Sequence, residues 1–262
     1  MKCVLKALKR LAGSIKSLGM VLAAAGLIVV LYPARAHAMH IMEGFLPLGW
    51  CLFWTALSLP FLLAGLVSMR KRMQEDPRFK LLMGLAGAFA FALSALKLPS
   101  VAGSSSHPTG VGLGAVLFGP TIMTVIGSVV LLFQAVLLAH GGLTTLGANV
   151  FSMAVAGPFV AYFVYGACCR IGLGSLWGAG AAAFFGSIAT YLVTAVQLAL
   201  AFPSESGGVM MSFAKFSSVF LVAQLPLSLA EAVLTAMVLK GLMGVAQGEL
   251  ETLGVIQVRG EG

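Results

Sequence analysis

Four histidines, His37, His40, His107 and His140, are the only imidazoles among the 262 residues of the chain. Were the chain to start at Met39, His40 would be its second residue, and three nitrogens would become available to one cation. The free amine and the His40 backbone nitrogen close a five-membered chelate ring. That backbone nitrogen and the imidazole Nδ1 close a six-membered one. Such a planar nitrogen set suits Ni(II), Cu(II) and also Co(II), and it leaves one corner for a further imidazole. His107, in Ser104-Ser105-Ser106-His107-Pro108-Thr109-Gly110, is the best candidate for that corner; the competing reading is a solvated loop residue.

Other polar residues near these positions each carry two readings. His140, in Ala139-His140-Gly141-Gly142, is either a helix C-terminal histidine favoured by the macrodipole and followed by glycine, or a group beside the metal or at its entry. Glu43 either balances metal charge and orients a ligand or caps a helix near Pro47. Thr109 shares the His107 stretch and is a candidate neighbour of the metal. Asn149 follows Thr144-Thr145-Leu146-Gly147-Ala148 and reads as a helix cap or as a polar group near the metal. Glu231 falls inside an apolar run, where an ionisable side chain is costly. It serves function or partner docking, or else bonds to Gln197, Gln224 or a hydroxyl. Four cysteines show no CxxC or Cys/His zinc spacing.

Freeing Met39 requires removal of what precedes it. Lys2, Lys6, Lys9, Arg10 and Lys16 form a basic region, and the apolar run 19–32 follows. Pro33 then breaks the run and Ala36-His37-Ala38 offers a small-x-small cleavage site. Residues 1–38 therefore read as a cleaved signal peptide. An uncleaved first helix is the alternative, and Ala34-Arg35-Ala36 is a second possible site that would start the chain at His37.

The elements positioning these residues read as membrane helices. The chain is 60% hydrophobic and 9% charged, against about a quarter charged in soluble domains. Apolar blocks long enough to cross a hydrocarbon core of about 30 Å span 48–69, 79–96, 121–139, 150–168, 176–201 and 219–242. The net charge of +8 forms no nucleic-acid-binding stripe. It concentrates at the N-terminus and between Arg70 and Lys80, which marks that loop as cytoplasmic and brings His40 and His107 to the outer face. Six spans would leave Arg170 and Lys240 outside. A short crossing at 112–118, after a Gly/Ser-rich stretch dipping into the protein, removes the conflict. The expectation is an all-α polytopic bundle of about seven transmembrane helices, six long spans plus one short broken helix. The transmembrane domain covers 39–245, and the tail 246–262 is short, polar, cytoplasmic and read as disordered.

Three stretches then resemble a known family. Residues 39–47 (MHIMEGFLP), 106–120 (SHPTGVGLGAVLFGP) and 138–158 (LAHGGLTTLGANVFSMAVAGP) are similar to the CbiM-type substrate-capture subunits of cobalt energy-coupling-factor transporters. The similarity covers nearly all of the chain after Met39. The resemblance implies capture of Co²⁺ from outside for cobalamin biosynthesis, in the bacterial inner membrane. It also implies a CbiO-like ATPase, a CbiQ-like transmembrane coupling protein and a CbiN-like small membrane protein as partners. The metal ligands it implies are Met39, His40 and His107. Ser105 departs from the cysteine of many members, which puts a thiol role there in doubt and leaves the nitrogen ligands intact.

Function classes narrow accordingly. The chain has no GxxxxGK[ST] loop and supplies no ATP site of its own. It has neither an HExxH-like pair nor a carboxylate dyad for an intramembrane metalloenzyme. Its loops are too short for a sensor's output domain. A stand-alone carrier or channel predicts metal flux in vesicles holding this chain alone. The nitrogen set serves Ni²⁺ as well as Co²⁺, so cobalt rests on the resemblance.

Overall fold

A hydrocarbon solvent forces every backbone polar group to be satisfied within the chain, which selects helices. The computed structural model describes residues 40–96, 98–99 and 105–255. The signal-peptide reading of 1–38 and the Met39 amine lie outside the described residues. Helix α1 covers Leu48–Glu75 and α2 covers Phe79–Ala95. A two-residue antiparallel pairing follows, β1 (Leu98–Pro99) with β2 (Ser105–Ser106), in register Leu98 to Ser106. Then come α3 (Val111–Phe118), α4 (Pro120–Leu137), α5 (Leu146–Arg170), α6 (Ser175–Ala201), α7 (Gly208–Val245) and α8 (Gln247–Thr252). Helix α5 carries a π-helical segment at Val150–Ala156, directly after Asn149.

Among the described residues, α1, α4, α5, α6 and α7 are long and apolar enough to cross a membrane. Helix α2 is apolar but has 17 residues, about 25 Å at 1.5 Å each. Helix α3 has eight residues, all buried, so it is an inserted element walled by its neighbours rather than one facing lipid.

Helix α7 shows which solvent the bundle meets. Val222, Leu225, Leu229, Val233 and Met237 are exposed, whereas Gln224, Ser228, Glu231 and Thr235 are fully buried. An amphipathic helix in water does the reverse. Close approach between helices comes from small residues. A Cβ on Gly112 of α3 would stand 2.5 Å from the Cα of Ala183 on α6, so those backbones meet only because Gly112 has no side chain.

Two expectations are corrected. Helix α7 begins at Gly208, not at Val219, because Lys215 interrupts the apolar run without interrupting the hydrogen-bond ladder. The first ten residues of the tail are folded, not disordered. Leu250 and Val255 are 2% and 6% exposed, and the Val255 carbonyl accepts bonds from the hydroxyls of Tyr165 (3.0 Å) and Ser175 (3.2 Å). Two buried apolar side chains and two hydroxyl donors supply what the polar composition concealed.

Candidate metal centre

The segment before α1 enters the protein on backbone contacts. Asn149 of α5 grips the Ile41 peptide groups from both sides: its Oδ1 accepts the Ile41 N–H at 2.9 Å and its Nδ2 donates to the Ile41 carbonyl at 3.1 Å. The Thr145 hydroxyl donates to the same carbonyl at 2.6 Å. Asn149 is thus a clamp on the segment bearing His40, not a helix cap. Two residues on, the Glu43 carboxylate accepts the Thr144 hydroxyl at 2.5 Å and the Thr144 N–H at 3.1 Å. The Thr144 bonds hold the Glu43 carboxyl below its ordinary value of 4.5. Glu43 therefore fastens two loops together rather than capping α1, whose first turn receives no side-chain cap. Gly142 makes that contact possible, because a Cβ there would lie 2.5 Å from the Glu43 Cα and 2.6 Å from its backbone nitrogen.

With these clamps in place, His40 is 1% exposed, and its Nε2 faces Oε1 of Gln134 on α4 at 2.9 Å. An amide oxygen only accepts, so Nε2 carries the proton and Nδ1 carries the lone pair. That is the nitrogen a chelate through the N-terminal peptide uses. The backbone carbonyl of Gln134 also accepts the His140 N–H at 3.1 Å. One residue of α4 thereby orients two histidines. Between them Ala139 takes φ +46°, a left-handed conformation costly for a side-chain-bearing residue, and the chain turns His140 inward past the end of α4.

His107 follows β2 directly. Its backbone is held by Tyr191 of α6, whose hydroxyl accepts the His107 N–H at 3.2 Å and donates to the His107 carbonyl at 3.0 Å. Its ring Nδ1 lies 2.8 Å from the Pro108 carbonyl, which places the proton on Nδ1 and leaves Nε2 as the donor nitrogen. Thr109 faces Glu231, with its N–H and hydroxyl each 2.8 Å from a carboxylate oxygen.

The three rings converge. Centroid separations are 4.9 Å for His40–His107, 4.7 Å for His40–His140 and 5.0 Å for His107–His140. One ligand nitrogen from each lies within 4.8 Å of the others, and all three residues are buried. Three imidazoles packed out of water form a borderline nitrogen set of the kind that takes late first-row cations.

The model of the cobalt uptake substrate-specific transmembrane region, CbiM, matches residues 40–248. The chain belongs to the CbiM family. It is 59% identical over 223 residues to the cobalt transport protein CbiM of Thermosediminibacter oceani, covering 84% of this chain and 91% of that one. It is 54% identical over 233 residues to the CbiM of Chlorobium limicola, covering 89% and 92%. Among solved structures, the crystal structure of a transition metal transporter aligns with a TM-score of 0.68 at 27% identity, covering 84% of this chain and 100% of that one. With its apolar helices, membership of CbiM makes the chain a multi-pass membrane protein.

The CbiM region holds all three clustered histidines. His140 stands beside His40 and His107 while also following the end of α4. Gln134, Tyr191 and Thr145 were not singled out from sequence. Gln134 carried a signal, as an amide inside the apolar run 129–138, where polar groups are costly and purposeful. Tyr191 and Thr145 carried none, because hydroxyl residues recur throughout these helices.

Proposed function

We infer that this chain captures a divalent transition-metal cation, Co²⁺ foremost, for uptake across the cell membrane. The observation carrying this reading is the convergence of His40, His107 and His140 within 4.8 Å in a buried site. It is supported by the names of the relatives, which are cobalt transport proteins. In the fuller reading, cleavage after Ala38 frees Met39, whose amine joins the His40 amide nitrogen and Nδ1. His107 Nε2 completes the nitrogen plane, and His140 stands against it. Glu43, Thr109 and Asn149 act on the ligands rather than on the ion. Nickel is the competitor this nitrogen set accepts.

Orientation follows the charge bias. The histidine end faces outward, the Arg70–Arg72 end inward, and the C-terminus lies in the cytoplasm. Helices α1 to α7 then make seven segments, with α3 as the short inserted one. The chain acts as a transport subunit, not an enzyme. Energy comes from a CbiO-like ATPase through a CbiQ-like coupling protein, with a CbiN-like small protein in the complex, and the cobalt serves cobalamin synthesis.

N-terminal sequencing of the purified protein, followed by titration with Co²⁺, tests the reading. A sequence starting at Met39, with stoichiometric binding lost in His40→Ala, is the expected result. A start elsewhere removes the amine chelate. Undiminished binding in His40→Ala removes the site.

A further inference from the structure

Glu231 is an acidic side chain buried inside a spanning helix, 0% exposed, that nothing described so far uses. Its two oxygens receive three donors from one loop. Oε2 accepts the Thr109 N–H at 2.8 Å, and Oε1 accepts the Thr109 hydroxyl at 2.8 Å and the Gly110 N–H at 2.7 Å. On α6, the Ser187 hydroxyl accepts Nε2 of Gln224 at 2.7 Å.

The Thr109 N–H belongs to the same peptide group as the Pro108 carbonyl, and that carbonyl takes the His107 Nδ1–H at 2.8 Å. A single rigid peptide plane thus has Glu231 on its nitrogen side and the His107 imidazole on its oxygen side. A hydrogen bond to one end of an amide polarises the other end, because such chains reinforce one another in a low dielectric. Metal-ligating histidines commonly donate their second ring N–H to a carboxylate or carbonyl, which fixes the tautomer and raises the basicity of the ligating nitrogen. Here both groups are used in series.

We propose that Glu231 is a positioning residue for metal capture, acting on His107 through the Pro108–Thr109 peptide so that Nε2 is presented as the donor. The proposal rests on the reading of His107 as a metal ligand. It also ties the ligand loop to α7, so the loop and that helix move together.

The test is titration of the purified, processed chain with Co²⁺, read by the absorption spectrum of the bound ion. Variants are Glu231→Leu, Glu231→Gln, Thr109→Ser and His107→Ala. Glu231→Leu should weaken binding ten- to hundredfold, the range for loss of a group behind a ligand, and move the bound-ion spectrum toward that of His107→Ala. Glu231→Gln keeps the volume but turns an amide N–H₂ toward a donor, so it should move in the same direction by less. Thr109→Ser keeps both donors to Glu231 and should weaken binding less than either Glu231 variant. A native spectrum and affinity in both Glu231 variants overturn the proposal. Weaker binding with an unchanged spectrum also overturns it, because loosening of the bundle alone gives that pattern. Should Glu231→Leu fail to fold, Glu231→Gln carries the decision. If His107→Ala binds with native affinity and spectrum, the ligand reading itself fails. If only the Glu231 variants are native, that reading stands and the role of Glu231 falls.

Discussion

Gln134 of α4 holds His40 and His140 whereas Tyr191 of α6 holds His107, and the two devices predict different losses. His40 is oriented by Gln134 through a 2.9 Å bond on Nε2. Gln134→Leu should leave the helix intact, free the ring to change tautomer, and weaken Co²⁺ binding about ten- to hundredfold, as measured by isothermal titration. Tyr191 satisfies both the N–H and the carbonyl of His107. Tyr191→Phe strips partners from two buried backbone groups, so it should destabilise the folded chain by about 1–3 kcal/mol, seen as a lower melting temperature in detergent. Metal binding should fall as well, because His107 loses its anchor. Binding needs deprotonated imidazoles, so acidification should weaken Co²⁺ binding.

At the scale of elements, the segment before α1 is fastened by Asn149, Thr145 and Thr144. The Glu43–Thr144 clamp depends on an ionised carboxylate whose folded pKa lies below 4.5. A depressed carboxylate contributes stability above its unfolded value and loses it as pH falls through the folded one. The clamp should therefore persist at pH 5 and weaken only below about pH 4.5. The protection factor of the Thr144 amide in hydrogen exchange should fall there, and Glu43→Gln should show that loss of protection already at pH 7. The α3–α6 contact predicts a packing cost: Gly112→Ala forces a Cβ to within 2.5 Å of the Ala183 Cα. Overpacking of this kind costs about 1–3 kcal/mol, readable as a drop in melting temperature.

Helices were legible where hydropathy changes sharply, at Leu48 and Phe79 and to within one residue at Ser175, because the bilayer requirement writes itself into composition. The start of α7 was not, since Lys215 sits on a helix that hydropathy alone divides. Side-chain partnerships were the least legible. His40 and Gln134 stand 94 residues apart, and Thr109 and Glu231 stand 122 apart. Only packing brings such pairs together, and no local pattern encodes it. His107 and His140 were visible as rare imidazoles, but their meeting at 5.0 Å is a property of the bundle.

For the whole molecule, the buried polar face of α7 and its exposed apolar face describe a protein folded in lipid around a small polar interior. The proposed energy coupling predicts that cells lacking the partner ATPase take up no Co²⁺ above background even when this chain is abundant. Full uptake there would favour a self-sufficient carrier. X-ray absorption spectroscopy of the Co²⁺-loaded purified chain tests most directly whether the His40 and His107 imidazoles hold one cation with His140 standing against it. Imidazole scattering around cobalt should be reduced in His40→Ala and in His107→Ala and retained in His140→Ala. A cobalt shell of oxygen ligands, or one unchanged in both His40→Ala and His107→Ala, would contradict it.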